Sequence, residues 1–256
     1  MLVVLSLTGV IGGGDTRRDA VATYIEQVNT TQRGLGIERD RVGKVYARAR
    51  TNPRGLAGAV ADLDRSAATL RRFDRRLRAL EPPGEAAKLH RRLVALSTAE
   101  AVFAAEIARL GRYLPALTAE RQAVGLAGTK LQRELAAKPN AEAQATAFDR
   151  FAAAVAAAAK PLQRAPVPAA LEPIRAEEVA RTTDLSVSAR RLAKALRQGR
   201  SADARTLVQR FGEAAAGSGN AVERKAVIAF DAQARRIDAL RLGVARERAR
   251  LDRVLR

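Results

Sequence analysis

Residues 56–80 read LAGAVADLDRSAATLRRFDRRLRAL. Leu56, Val60, Leu63, Ala67, Leu70, Phe73 or Asp74, Leu77 and Leu80 follow one another at steps of three and four. That spacing returns to one side of a helix with 3.6 residues per turn, so it predicts an amphipathic helix with a single apolar stripe. Arginines and aspartates fill the other positions, and Asp74 stands four residues before Arg78, the separation at which helix neighbours meet. A half-buried strand would need apolar and polar residues in alternation, and the chain offers no credible strand of that kind longer than four residues.

Working outward, the same period recurs. Leu89, Leu93, Leu96, Glu100, Phe103, Ile107, Leu110 and Leu114 form a second seam, interrupted by Glu100. Val222, Ala226, Phe230, Ile237, Leu240, Val244, Leu251 and Leu255 form a third, after Gly217-Ser218-Gly219. Breakers fall between the seams at Asn52-Pro53-Arg54-Gly55, Pro82-Pro83-Gly84, Pro115, Lys138-Pro139-Asn140, Pro161 to Pro168 and Gly199-Arg200-Ser201. Proline is tolerated in a first helical turn, so Pro115, Pro139 and Pro168 can each open a helix. The pattern predicts seven helices, at about 16–51, 56–80, 84–113, 116–137, 140–160, 168–198 and 202–255, the last breaking near its glycines. The fold class is therefore all-α. Such lengths with narrow seams point to an elongated antiparallel bundle, arranged as two three-helix units plus a long C-terminal helix if the similarity between the starts at Pro83 and Pro168 is a duplication. Residues 15–256 are read as one bundle domain that could subdivide near 115 and 200.

Composition narrows the chemistry. The 256 residues include no Cys, no Trp, one Met and one His. Disulfides, thiolate metal sites and a Cys nucleophile are thereby excluded, as is any site needing two histidines. Lys+Arg number 46 against 27 Asp+Glu, a formal net charge of +19, and 39 of the 46 are Arg. Scarce Lys with abundant Ala and Arg is also what a GC-rich genome writes by codon drift. The excess is spread evenly, at +8 over residues 15–114, +5 over 116–199 and +6 over 200–256, with no basic tail. Acids at helical spacing from bases, such as Glu134 with Lys138, Asp231 with Arg235 and Asp252 with Arg256, predict helix faces laced with weak ion pairs.

Residues 2–14, LVVLSLTGVIGGG, carry no charge, and Asp15-Thr16-Arg17-Arg18 follows. Thirteen residues are too few to span a bilayer but suit the apolar region of a secretory signal, with Gly12 and Gly14 as the small residues before a cut at Asp15. Two features fit that reading badly: no basic residue precedes the run, and Arg17-Arg18 after it favour retention of the following chain on the cytoplasmic side. A start upstream of Met1 would explain the first and the shortness of the run. Residues 1–14 are accordingly expected to be a signal peptide or membrane-anchor remnant.

Two stretches carry a resemblance. Arg17-Arg18-Asp19-Ala20-Val21-Ala22-Thr23-Tyr24-Ile25-Glu26-Gln27-Val28-Asn29 and Leu77-Arg78-Ala79-Leu80-Glu81-Pro82-Pro83, the latter followed by Leu89-His90-Arg91-Arg92-Leu93, resemble segments of uncharacterised exported or membrane-anchored all-helical proteins of actinobacteria. In such proteins a signal or lipobox precedes the first segment, and this chain lacks the lipobox cysteine. The resemblance covers about 40 residues, implies an extracytoplasmic setting and supplies no activity.

The candidate chemical groups each have a structural alternative. His90 is the sole histidine, one helical turn from Leu93, and is read as an inter-helix polar contact, because no nucleophile motif or second ligand accompanies it. Glu177-Glu178 with Arg181 resembles half of a carboxylate metal site, but bundle di-iron sites need Glu-x-x-His pairs and position 87 is Ala. Glu100 on an apolar seam predicts a buried pair with Arg181 or another arginine across the bundle. Gly12-Gly13-Gly14 lacks the Gly-Lys-Ser/Thr of a phosphate loop. Gly125-Leu126-Ala127-Gly128 is a small-residue patch where helices could approach closely. No catalytic, cofactor-binding or metal-ligating residue is therefore expected, and no cofactor.

Function follows only in outline. The leading expectation is a non-enzymatic exported or membrane-associated helical scaffold or interaction protein, with its basic body against anionic lipid or cell-wall polymer and a protein partner of unspecified identity. The alternative is a cytoplasmic protein binding nucleic acid without sequence preference. Charge alone supports that alternative: there is no helix-turn-helix, zinc-finger or aromatic stacking pattern.

Overall fold

A computed structural model describes residues 13–137, 140–200, 206–208, 211 and 221–255. Helix dominates and no strand occurs among the described residues. The main helices are α1 (Gly13–Gln32), α2 (Leu35–Thr51), α3 (Val60–Arg78), α4 (Ala87–Ala136), α5 (Ala141–Arg164), α6 (Glu172–Arg197) and α7 (Ala221–Leu255). Short 3-10 turns at Pro53–Ala59, Gly84–Ala86 and Ala169–Leu171 lead into α3, α4 and α6. The apolar run expected to be a signal or anchor lies outside the described residues, except that Gly13 and Gly14 open α1. The break expected at Gly217-Ser218-Gly219 lies outside them too.

The predicted boundaries need three corrections. The helix expected over 16–51 is cut at Gly34, whose φ of +82° is the left-handed conformation that ends helices. Arg33 N–H donates to Thr30 O, closing the last turn of α1. The helices expected at 84–113 and 116–137 are one, because Pro115 sits inside α4 and opens nothing. An interior proline costs about 3 kcal/mol. Leu110, Tyr113, Leu114 and Leu117 flank it and are all buried, each contributing on the order of 2 kcal/mol, so packing on both sides outweighs the proline. Pro161 likewise lies within α5, which runs one turn beyond its expected end and buries Leu162. Asn140 does start α5: its side chain accepts from Ala143 N–H at 2.9 Å.

The chain gathers into two compact units: the described residues of Met1–Val45, Asp62–Ala105 and Phe230–Arg256, and those of Tyr46–Ala61 and Glu106–Ala229. In the first, α4 and α7 run antiparallel: Arg250 reaches Glu85 O, Lys88 reaches Glu247, Arg241 reaches Glu100, and Phe103 meets Phe230 edge-on. α1 and α2 run with α4, as Tyr24–His90 and Arg39–Glu100 show. α3 returns beside α2, its Ser66 hydroxyl donating to Glu38. The core holds Val21, Tyr24, Leu63, Leu70, Phe73, Leu77, Leu89, Leu93, Leu96 and Ile237, which lie on the predicted seams or join them from α1.

In the second unit α5 and α6 form an antiparallel pair. Arg197 meets Glu142 and Asp149, the Ser186 hydroxyl donates to Ala152 O, and Arg175 donates to Gln163 O. The C-terminal part of α4 runs alongside α6, with Glu106 near Ala169 and Arg121 near Glu178. Phe148, Phe151, Val155, Leu185, Leu192 and several alanines make its core, and Phe211 stacks edge-on against Phe148 and Phe151. A Cβ at Gly111 would lie 2.7 Å from Val60 Cγ2 and 3.1 Å from Leu56 O, so only glycine admits that approach. Among the described residues no helix makes the close approach expected at Gly125-Leu126-Ala127-Gly128. Nothing lies within 4 Å of a Cβ at either glycine, and Leu126 is 73% exposed.

Candidate functional site

A groove of about 500 Å³ opens on the first unit, between α3, α4 and α7. α4 supplies most of it. Its seam Leu89, Leu93, Leu96 and Glu100 faces the core, so Arg91, Ala95, Thr98 and Val102, at steps of three and four, form a neighbouring face that reaches solvent. Val94 and Ala99 fill the gaps between them. α7 adds Gln233, Arg236 and Ile237, again one helical turn, and α3 adds Arg78 from its last turn. The floor is aliphatic and the rim carries three arginines.

Arg78 is held in place. Its Nε donates to Asp74 Oδ2 at 2.9 Å and its Nη2 to Thr98 Oγ1 at 2.7 Å. Ser97 and Thr98 hydroxyls donate to Asp74 Oδ1 at 2.6 and 2.9 Å. Burial works against the charged form of Asp74, but the hydrogen bonds from Ser97, Arg78 and Thr98 outweigh it and hold the carboxyl below its ordinary range. Asp74 therefore neutralises Arg78. Among the described residues neither Arg91 nor Arg236 has an ion pair or hydrogen bond, so the rim retains two uncompensated positive charges. Gln233 Oε1 is a buried acceptor with no hydrogen-bond partner. Chemically the groove offers guanidinium donors and an apolar floor. No residue in it pairs a nucleophile with a base.

The buried carboxylates belong to another class of feature. Glu100 is buried and clamped from two helices, by Arg39 Nε at 2.7 Å and by Arg241 Nη2 and Nε at 3.0 and 3.2 Å. Its partners are thus Arg39 and Arg241, and the expected Arg181 lies in the other unit, where it bonds Glu178 at 2.9 Å and stands 3.6 Å from Glu120. Glu178 also receives Arg121 Nη2 at 2.8 Å, while Glu177 is exposed. Burial pushes the Glu120 carboxyl up, against the hydrogen bond from Thr182 and the charge of Arg181. Glu120 Oε2 and the Tyr113 hydroxyl are buried without hydrogen-bond partners. Glu106 accepts from Ala169 N–H at 2.8 Å and pairs with Arg109, and Glu247 takes Lys88 and Arg250. Glu134 reaches Arg150, at 3.7 Å on α5.

His90 makes an inter-helix contact, its Nδ1 lying 3.0 Å from the Tyr24 hydroxyl, and burial lowers its pKa. Among the described residues no group of three or more His, Asp or Glu could hold a metal ion. The groove was not visible as a motif. Arg91 and Arg236 look like any solvated arginine in the sequence, and only the pairing of α4 with α7 brings them to one cleft. Their single local signal is an apolar residue one turn away: Val94 and Ala95 for Arg91, Ala232 and Leu240 for Arg236. Comparison with family models, curated proteins and solved structures yields no match.

Proposed function

We propose that this chain is a non-enzymatic helical interaction protein that works at a membrane or outside the cytoplasm, with its arginine-rich faces against anionic lipid or wall polymer. One observation carries the reading. Glu100, Glu106, Glu120, Glu178 and Glu247 are buried among the helices, whereas groove arginines such as Arg91 and Arg236 stand in solvent without acidic partners. Each buried acid holds one or more basic side chains, so arginines without an acidic partner, such as Arg91 and Arg236, dominate the local potential an approaching particle meets. Among the described residues no helix is long and apolar enough to cross a membrane. The resemblance of Arg17–Asn29 and Leu77–Leu93 to exported helical proteins supports the same setting.

Two measurements test it together. Reporter fusions after Arg18 and after Arg256, one reporter active only outside the cytoplasm and one only inside, should give the outside signal. The chain from Asp15 should co-sediment with anionic vesicles and not with zwitterionic ones, and the binding should weaken steeply toward about 0.15 M salt, where the screening length is about 8 Å. Cytoplasmic signal from both fusions, with salt-resistant binding of one DNA sequence, would replace this reading with a cytoplasmic nucleic-acid one.

A further inference from the structure

The groove between α3, α4 and α7 has two properties that belong together in one ligand. Its rim holds two arginines without counter-charge and a third, Arg78, fixed by Asp74 and Thr98. Its floor is aliphatic, with Val102 at its solvent-facing edge 50% exposed. A free phosphate would use the rim alone. A neutral amphiphile would use the floor and leave the charge uncompensated. A polyanion such as DNA would meet the rim but is too rigid and wide to enter a cleft of about 500 Å³.

We propose that this groove binds a single molecule of an anionic phospholipid, its phosphate at the arginine rim and an acyl chain on the aliphatic floor. The phosphodiester lies between Arg91 and Arg236, where planar guanidinium groups give paired, charge-assisted hydrogen bonds. The start of one acyl chain covers Val94, Ala99 and Val102. The volume falls within the range of sites that enclose most of a small ligand. The proposal rests on the anionic-surface reading above and adds to it one site with one stoichiometry.

The test separates the two. Full-length protein is titrated calorimetrically with a short-chain monoacyl phosphatidylglycerol below its micelle concentration, with glycerol phosphate, and with the corresponding monoacyl phosphocholine. One-to-one binding of the first is expected, with at least tenfold weaker binding of the other two. Arg91→Gln with Arg236→Gln should reduce affinity for the monoacyl phosphatidylglycerol at least tenfold, since each charge-assisted bond lost contributes roughly that factor. Arg190→Gln with Arg191→Gln removes the same charge from exposed sites on α6 and should change it less than about twofold. Equal losses in the two arginine pairs, or no saturable monomer binding while anionic vesicles still bind, would overturn the groove and leave the surface reading standing. Failure to bind anionic vesicles at all would overturn both. Helix content measured by circular dichroism confirms that each variant is folded.

Discussion

Replacing Tyr113 and Tyr24 by phenylalanine should move stability in opposite directions at neutral pH and in the same direction in alkali. Tyr113 is fully buried and its hydroxyl has no partner. Removing an unsatisfied buried hydroxyl relieves a desolvation penalty of about 1–3 kcal/mol, so Tyr113→Phe should stabilise by about 1 kcal/mol. Tyr24 is equally buried but bonds His90 Nδ1, and Tyr24→Phe should destabilise by about 1 kcal/mol. Burial pushes both phenols up to about 12, opposed at Tyr24 by the charge of Arg248 and reinforced at Tyr113 by that of Glu178. The unfolded chain releases these protons first, near pH 10. Stability is therefore present in full below about pH 10 and is lost as pH rises toward about 12. At about pH 11 the loss is about 1.4 kcal/mol per tyrosine. Phenylalanine has no proton to lose, so each variant should gain about 1.3 kcal/mol on wild type between about pH 9 and 11. Urea unfolding followed by circular dichroism at three pH values measures this, and tyrosinate absorbance assigns it cleanly in a chain with three Tyr and no Trp. A destabilised Tyr113→Phe at neutral pH, or a Tyr113 signal ionising near pH 10 in the folded protein, would refute the reasoning.

Two further outcomes are expected. Leu70→Asp should cost several kcal/mol and depress the melting temperature sharply, because it places an unpaired carboxylate where Leu70 is 1% exposed, whereas Leu126→Asp on an exposed face should leave melting almost unchanged. Asp74→Asn should lower the urea midpoint at about pH 6, and the gap to wild type should close as pH falls below about 4, because a carboxyl held below its ordinary range stabilises only while ionised; a gap that widens in acid would contradict the hydrogen-bonding assigned to it.

The core was legible because burial on a helix leaves a periodic trace. Leu89, Leu93, Leu96, Phe103, Ile107, Leu110 and Leu114 are all buried as their spacing implies, and so is Glu100, the polar interruption. The boundaries were less legible, since proline and glycine act through context. Pro115 has the local chemistry of a stop, and buried neighbours on both sides override it. Gly34 has that of any tolerated helical glycine, and only its positive φ makes it a terminator. Partner choice was least legible: periodicity places Glu100 inside without naming Arg39 or Arg241, because a seam fixes which face is buried and not which helix covers it.

The same limit explains why net charge was a poor guide to chemistry until the helices were placed. A formal +19 spread evenly along the chain reads as weak, nonspecific attraction. Folding does not keep it even. Glu100, Glu106, Glu178 and Glu247 are drawn inward, each binding one or more basic side chains whose charge is thereby spent internally. Arg78, Arg91 and Arg236 come from helices 13 to 158 residues apart in sequence, yet the turn between α3 and α4 and the antiparallel return of α7 set them around one aliphatic cleft. Asp74 silences the first and leaves the other two unopposed. Topology thus converts a diffuse excess of arginine into a local one beside apolar surface. That juxtaposition favours a ligand with an anionic head and an apolar tail over a bare polyanion, whose binding would need only the charge.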